Sequence, residues 1–339
     1  MIKLVGDINF TDGFFDTGFG IGSSIKKGGS PFKYLSKNIE DIWIGNLECV
    51  VSTESNKKGI YKKQFLIEPS YLDSIHFIDI YNVANNHIMQ HGEVAYNNTT
   101  RFLEKKNLHY FGCSNNKTTT FQYKGKKIAV LGFSQRDEKF SKNPKYWYNP
   151  EYTEIITEFN KIKENDFKIA YLHWGNEFID RPYNDQKKLA RWMVDLGFDL
   201  IIGLHPHVLQ GYEIYKGKYI YYSLGNFVFN MPLESTRYSC IVNLDFKNNQ
   251  PVLSEQYVII GTDNFPKLIA DDDVPISYKF EYLNSKIIED VENEVYYNKV
   301  NHFLNNYRKA NYKFIIQNLF NYRLKDVINI FADYIKRRF

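Results

Sequence analysis

The stretch that decides the fold is Leu-Ile-Ile-Gly-Leu-His-Pro-His, residues 200–207, in which an apolar run ends on two histidines. A short apolar run of this kind predicts a buried strand of a parallel sheet. Four other apolar runs end in the same way: 2–5 before Gly6-Asp7, 42–44 before Asn46-Leu47-Glu48, 78–83 before Asn86-His87, and 169–172 before His173-Trp174-Gly175. Because strands of an open α/β sheet direct their carboxyl ends at one crevice, we expect these five loops to converge.

The side chains at these strand ends have the chemistry of a metal site. They are two carboxylates, an amide and four imidazoles: Asp7, Glu48, Asn86, His87, His173, His205 and His207. Such ligands suit Mn, Fe or Zn, and the lack of a thiolate among them argues against a structural zinc site. Two divalent ions about 3.5–4 Å apart can activate a water and hold both the attacking and the leaving oxygen. The pattern therefore predicts a dinuclear metal site.

Composition narrows the class of protein. The chain has 339 residues, of which 43% are hydrophobic and 24% charged, as is usual for a soluble globular protein. Its net charge of +4 is too small to indicate a nucleic-acid partner. The three widely spaced cysteines predict no disulfide framework and suit a reducing compartment. The first strand begins almost at residue 1, and neither a leader pattern nor a long apolar run is visible, so we expect a cytoplasmic protein.

The order of elements predicts a layered α/β domain. Strand-like runs alternate with helical stretches as far as Asn226, and two further strands follow. The expected helices lie at 32–38, 69–77, 92–106, 152–165 and 186–196. An acidic stretch, Asp271-Asp-Asp273, and Pro275 resemble a boundary. We therefore expect a first domain over 1–265 and a helical, basic, amphipathic region over 266–339.

The end of the chain predicts an amphipathic helix. Leu324, Val327, Ile328, Phe331 and Ile335 form one apolar stripe. Residues 308–339 are rich in Lys and Arg and end in Lys336-Arg337-Arg338-Phe339. Two explanations stay open: the stripe docks on the rest of the protein, or it lies on an anionic membrane surface. The second would make the protein a peripheral membrane protein.

Six motifs, taken together and in this order, resemble those of the CapA family of poly-γ-glutamate capsule synthesis proteins. They are Gly-Asp at 6–7, Asn-Leu-Glu at 46–48, Ala-Asn-Asn-His at 84–87, Leu-His-Trp-Gly-Asn-Glu at 172–177, His-Pro-His-Val-Leu-Gln at 205–210 and Tyr-Ser-Leu-Gly-Asn-Phe at 222–227. The resemblance spans about 2–230 and implies a metallophosphatase-like fold, a four-layer α-β-β-α sandwich with its site above the two sheets.

The resemblance also implies roles for the site residues. Asp7 and His207 would hold one metal, Asn86, His173 and His205 the other, and Glu48 would bridge them. His87 would lie just outside the metals as the catalytic residue, protonating the leaving group or stabilising negative charge. Substrate contacts are expected more weakly from Asn46, Glu177, Arg181, Ser223 and Asn226. Two departures leave the substrate open: position 90 is Gln where the family often has Asp, and residues 8–13 lack an expected Arg.

These observations favour a dinuclear-metal-dependent hydrolase-like enzyme of capsule or cell-surface polymer biosynthesis, acting on an amide or a phosphoester bond. Its partner would be the polymer or a precursor of it. One alternative is a non-catalytic accessory protein of a membrane-bound capsule or glycan synthase. Another is a metallophosphodiesterase with a small or nucleic-acid substrate, and the near-neutral body of the chain disfavours nucleic acid.

Overall fold

The structure is a computed structural model that describes residues 1–288 and 291–336, with side chains except at 60, 73, 74, 331 and 333–336. Its strands are β1 (Ile2–Ile8), β2 (Ile42–Leu47), β3 (Val50–Val51), β4 (Leu66–Ile67), β5 (Ile80–Asn82), β6 (His109–Phe111), β7 (Thr118–Tyr123), β8 (Lys126–Ser134), β9 (Phe167–His173), β10 (Leu200–Leu204), β11 (Tyr212–Tyr215), β12 (Lys218–Tyr221), β13 (Asn226–Val228), β14 (Tyr238–Lys247), β15 (Gln250–Ile260) and β16 (Pro266–Leu268). Its α-helices are α1 (Ile21–Lys26), α2 (Glu93–Lys105), α3 (Tyr152–Ile162), α4 (Asn184–Leu196), α5 (Phe280–Ile288), α6 (Asn293–Gln317) and α7 (Leu324–Lys336).

Within the described residues the strands form two large sheets and a small one. The first large sheet has the order β16-β15-β14-β1-β2-β5-β6, with β13 paired to β1, and the second has the order β11-β12-β10-β9-β8-β7. The central strands β1, β2, β5 and β6 of the first sheet run parallel, as do β8, β9, β10 and β12 of the second. The strands that carry the predicted metal ligands therefore point the same way within each sheet.

The two sheets pack face to face and are covered by helices on their outer faces. Alternate residues of β1 show this: Leu4 packs between the sheets with Ile169 of β9, whereas Val5 packs outward in the cluster that includes α2. On the far side, α3 and α4 cover the second sheet through Phe159 and Met193. Because both faces of β1 are covered, all its residues are buried. The fold is the expected four-layer α-β-β-α sandwich.

Three of the five helices expected in the α/β domain are present, and two are not. The helices expected at 92–106, 152–165 and 186–196 are α2, α3 and α4. The prediction of a helix at 32–38 was wrong: residues 31–34 form a turn, and residues 35–38 have no regular secondary structure. The stretch at 69–77 contains two short 3₁₀ segments in place of an α-helix. Segments this short form too few backbone hydrogen bonds to offset the entropy of starting an α-helix, so their packing decides their shape.

After the sheets the chain is helical and packs back on the body. The final strand β16 lies just after the expected boundary at residue 265, and α5, α6 and α7 follow. Ile315 and Ile330 are buried against Phe15, and Tyr296 is buried against Ile179. Of the expected stripe, Phe331 and Ile335 lie outside the described side chains, as do residues 337–339. Among the described helices none is both long enough and apolar enough to span a bilayer.

Candidate metal centre

The strand ends converge as the sequence predicts. Asp7 lies near the end of β1, Glu48 directly follows β2, His173 ends β9, and His205 and His207 follow β10. All five side chains are buried. Two groups have ligand atoms within 4.8 Å of one another, Asp7-Glu48-His173 and Glu48-His205-His207. Glu48 belongs to both groups, which is the position expected of a bridging ligand.

The remaining distances can be compared with the expected division of ligands. Asp7 Oδ2 lies 3.6 Å from His207 Nδ1, and Asn86 Oδ1 lies 2.8 Å from His173 Nε2, so both expected pairs are adjacent. The two close groups, however, also place His173 beside Asp7 and His205 beside His207. The six expected ligands therefore lie together, but the two close groups do not follow the expected division of the ligands between two metals.

Glu48 and His205 show that the residues fit a divalent cation. Neither carboxylate oxygen of Glu48 and neither ring nitrogen of His205 has a hydrogen-bond partner among the described residues, although all four atoms are buried. Leaving a buried polar atom without a partner costs about 1–3 kcal/mol. Burial raises the pKa of Glu48 well above its usual value, and Asp7 nearby raises it further. A cation bound among these atoms would satisfy them and hold the carboxylate in its ionised form.

Asp7 is held by two donors yet is still costly to ionise. The Asn46 amide donates to Asp7 Oδ1 at 2.8 Å, and the backbone N–H of His205 donates to Asp7 Oδ2 at 3.0 Å. Burial nevertheless outweighs these hydrogen bonds and raises the pKa of Asp7 to about 7. Burial lowers the pKa of His207 to about 3, so its ring is neutral and ready to bind a metal.

The backbone around these ligands has little freedom to change. His205 and His207 have φ angles of 92° and 59°, a left-handed conformation that non-glycine residues adopt mainly where surrounding structure enforces it. Gly6 is needed for a different reason, since a Cβ atom there would lie 1.8 Å from the carbonyl oxygen of Gly225. The chain after β12 therefore packs directly against β1, which places Asn226 beside Asp7 in the sheet.

Three of the residues expected to contact substrate are engaged inside the protein. The Nδ2 atom of Asn46 donates a hydrogen bond to Asp7 and lies 3.3 Å from His173 Nδ1. Asn226 Oδ1 lies 2.9 Å from His207 Nδ1. The Ser223 hydroxyl donates to the carbonyl of Val208 at 2.7 Å. All three are buried. Asn46 and Asn226 orient the expected ligands, as residues around a metal site commonly do, and Ser223 supports the loop after His207.

His87 reaches the edge of the site. Its Nε2 lies 3.9 Å from Glu48 Oε1, and its side chain is 17% exposed. Its Nδ1 lies 2.6 Å from Gln90 Oε1, and its ring stacks on Phe65 with centroids 3.7 Å apart. Burial lowers the pKa of His87 to about 4. The Gln90 oxygen accepts a hydrogen bond from Nδ1–H, and in this tautomer the Nε2 atom is unprotonated and is the acceptor nearest to Glu48.

Arg136 belongs to the same site and was missed by the sequence analysis. It follows the end of β8, and its Nη1 donates to the carbonyl of Gly175 and, at 3.3 Å, to Asn176 Oδ1. Its Nε is buried without a partner among the described residues. Its charge helps to lower the pKa of His205, so it lies close to the ligands. The rule applied to the other strand ends would have found it, since β8 is also a buried apolar run.

Glu177 and Arg181, the remaining weakly expected substrate contacts, lie in the loop after His173. Glu177 is half-buried, and its charge contributes to the raised pKa of Glu48, so it lies near the metal ligands. Arg181 is buried, and its Nε lies 2.9 Å from Asp180 Oδ1 in an ion pair. Glu177 therefore remains a candidate substrate contact, whereas Arg181 is engaged by its neighbour.

Aromatic rings surround the ligands, and no local signal in the sequence indicates them. Phe229 lies 4.8 Å from the His207 ring and 5.8 Å from Phe65. Phe178 lies 6.2 Å from His207 and stacks on Tyr307 of α6 at 4.2 Å. Helix α6 therefore borders the candidate metal centre, and aromatic rings form part of the wall around it.

The sequence was compared with protein families and curated proteins. Residues 1–231 match the family described as "Bacterial capsule synthesis protein PGA_cap". The chain belongs to this family. It is 34% identical over 236 residues to the PGA biosynthesis protein CapA of Bacillus subtilis, covering 65% of the chain and 62% of that protein. It is 31% identical over 212 residues to the capsule biosynthesis protein CapA of Bacillus anthracis, covering 56% of the chain and 50% of that protein. The match thus spans one half to three fifths of these relatives.

Two matched solved structures have low sequence identity to this chain. A putative 5'-nucleotidase from Staphylococcus aureus, in complex with α-ketoglutarate, superposes with a TM-score of 0.45 and 14% identity, over 84% of this chain and 57% of that chain. A phosphatase from Mycoplasma pneumoniae superposes with a TM-score of 0.41 and 13% identity, over 79% of this chain and 90% of that chain.

Proposed function

We propose that this protein is a metal-dependent hydrolase of capsule or cell-surface polymer biosynthesis that cleaves an amide or phosphoester bond beside an anionic group. The observation that carries the proposal is the buried set of unpartnered atoms on Glu48 and His205 inside a cluster of further ligands. A purely structural polar core would pair such atoms with one another. Instead, one ligand atom from each of Glu48, His205 and His207 lies within 4.8 Å of the other two.

The expected ligands would hold two divalent ions, with Glu48 between them. Such ions, when bound, supply Lewis-acid activation of the attacking water and of the phosphoryl or carbonyl oxygen. Asn46 and Asn226 orient Asp7 and His207 for this purpose. The apolar rings around the site exclude water, which strengthens the electrostatic interactions inside it.

In this proposal His87 transfers the proton. Its Nε2 faces the Glu48 side of the site at 3.9 Å, and its Nδ1 is held by Gln90. Since burial lowers its pKa to about 4, the neutral ring can accept a proton from the attacking water and return it to the leaving group. The proton thus passes through Nε2 while the hydrogen bond to Gln90 keeps the ring oriented.

Arg136 is the residue placed to bind an anionic part of the substrate. Its guanidinium is held by Gly175 and Asn176 beside His173, and its Nε has no partner among the described residues. Guanidinium groups bind both carboxylates and phosphates through two parallel hydrogen bonds. A glutamyl polymer and a phosphorylated sugar precursor both carry such a group, so Arg136 suits either bond.

Family membership supports the place of this activity in capsule synthesis. The two Bacillus relatives are named for capsule and PGA biosynthesis. The matched part spans only half to three fifths of them, so transferring the polymer to this chain is part of the proposal.

The test combines metal analysis with activity. Purified protein reconstituted with Mn, Fe or Zn should contain about two ions per chain. It should hydrolyse either bis-p-nitrophenyl phosphate or γ-glutamyl-p-nitroanilide, whereas His173→Ala should lose metal and turnover together. Metal content below half an ion per chain would overturn the site itself. Full metal content with no turnover on phosphomonoester, phosphodiester or γ-glutamyl amide probes would replace the enzyme with the accessory role in a synthase.

A further inference from the structure

The C-terminal helices carry an apolar face that the described part of the protein does not cover. Ile316 is 67% exposed, Phe320 is 102% exposed, Leu324 is 77% exposed and Ile328 is 60% exposed. These residues follow one another at intervals of four, from the end of α6 through the turn into α7. Four large apolar side chains exposed in this order form a surface that commonly marks an interaction site.

The opposite side of the same segment is packed against the body. Ile315, Tyr322 and Ile330 are buried with Phe15, and the Tyr322 hydroxyl donates to the carbonyl of Phe15. Asp326 is buried and forms an ion pair with Lys63 at 2.9 Å. The exposed face is therefore held in one orientation by the docked face. The sequence left two explanations open for this amphipathic segment, docking on the protein and binding to a membrane. Docking accounts for its buried side, and its exposed side is left to be explained.

The charged residues of the exposed face are positive. Lys313, Arg323 and Lys325 are exposed and lie within three residues of these apolar residues in the sequence. Between residues 308 and 332 the sequence has a single acidic residue, Asp326, and its carboxylate faces the body and pairs with Lys63. The described surface of this segment thus combines large apolar side chains with cations.

We infer that this face, formed by Ile316, Phe320, Leu324 and Ile328 with Lys313, Arg323 and Lys325, binds an anionic lipid bilayer surface. The apolar side chains enter the boundary between head groups and acyl chains, and the cations pair with lipid phosphates. A second copy of the chain fits less well, because an isologous contact would bring the same cations together.

Membrane binding at this face would bring the metal centre close to the bilayer. Helix α6 carries Ile316 near its end, and its Tyr307 stacks on Phe178 beside the ligand His207. One helix therefore borders the mouth of the site and leads to the membrane face. This inference does not depend on the proposed hydrolysis, since it rests on exposure and charge alone.

The first experiment measures binding of the full chain to vesicles. Protein should co-sediment at low salt with vesicles of phosphatidylcholine and phosphatidylglycerol, and remain in the supernatant with phosphatidylcholine alone. Phe320→Ser with Leu324→Ser should weaken binding at least about tenfold, since each apolar side chain no longer enters the bilayer. The matched control is Ile39→Ser with Ile276→Ser, which changes two apolar side chains that are 101% and 61% exposed elsewhere.

The second experiment tests the cations. Arg323→Gln with Lys325→Gln should weaken binding about fivefold for each charge, and salt should have the same effect on the unchanged protein. The control is Lys163→Gln with Lys247→Gln, two exposed lysines on the α/β body. Melting temperature and metal content should be equal in all variants, which shows that each is folded.

Three results would overturn the inference. The first is failure of the full chain to bind anionic vesicles. The second is equal binding by the face variants and their controls. The third is a dimer, seen by analytical ultracentrifugation, that dissociates in the Phe320→Ser/Leu324→Ser protein while vesicle binding is unchanged, which would assign the face to a second copy.

Discussion

Replacing Asp7 by Asn should stabilise the metal-free protein and abolish its stabilisation by metal. In the metal-free fold burial raises the pKa of Asp7 from 3.8 to about 7. The folded state therefore binds a proton that the unfolded state releases, so its stability falls as pH rises from about 4 to about 7. Above that range the full cost of burying the ionised carboxylate is present.

The size of the effect follows from this shift and from the contacts of Asp7. A difference of about three pKa units corresponds to about 4 kcal/mol. Asn keeps the shape but offers one acceptor where Asp7 accepts from both Asn46 and the His205 backbone, so one hydrogen bond is lost at a cost of about 1–3 kcal/mol. The metal-free variant should therefore be about 1–3 kcal/mol more stable than the natural protein at about pH 8.

With metal bound, the natural protein should instead be more stable than the Asp7→Asn variant. Manganese at about a hundred times its dissociation constant stabilises a native protein by about 2.7 kcal/mol per site, and the variant has lost a ligand. Urea unfolding at about pH 8, with EDTA or with manganese, measures both differences. Equal destabilisation of the variant in both conditions would refute the reasoning and make Asp7 an ordinary structural residue.

Asp16 supplies a matched control for Asp7. It is buried, its pKa is raised to about 7 by burial and by Asp12, and it accepts hydrogen bonds from Gly13 and Asn230 at 2.6 and 2.8 Å. It belongs to neither group of close metal ligands. Asp16→Asn should therefore stabilise the metal-free protein similarly and leave its response to manganese intact.

Three further predictions concern the same site. His205→Ala should lose metal and activity together, whereas His87→Ala should keep its metal and turn over about 10²–10⁴-fold more slowly; loss of metal from the His87 variant would contradict its role. Metal affinity should rise with pH up to about 7, because protons must leave Asp7 and Glu48 before a metal binds. Calorimetry in two buffers of different ionisation enthalpy should detect the released protons, and a binding heat that is the same in both buffers would disprove this. Arg136→Gln should raise KM about 10–100-fold with metal content unchanged, and Arg136→Lys should recover part of the loss; an unchanged KM would exclude anion binding there.

The pattern of the sequence by itself determined a layered α/β domain and most of the candidate ligands, whereas the four-layer sandwich was implied by the resemblance of its motifs to a known family. A buried strand of a parallel sheet is a local apolar run, and the residues that end it must lie at one edge of that sheet. Asp7, Glu48, His173 and His205 could be found in this way because each directly ends or follows such a run. Arg136 follows the same rule after β8 and could have been found with it.

Only the tertiary structure decided which polar atoms lack partners and which faces are covered. Asn46 and Glu48 are two residues apart, yet the amide of Asn46 is hydrogen-bonded to Asp7, whereas neither carboxylate oxygen of Glu48 has a hydrogen-bond partner among the described residues. Likewise Ile330 is buried while Ile328 is exposed, because α7 packs on Phe15, more than three hundred residues earlier in the chain. Local sequence gives a helix its apolar stripe, but contacts between distant residues choose the side that is buried, and those contacts have no local signature.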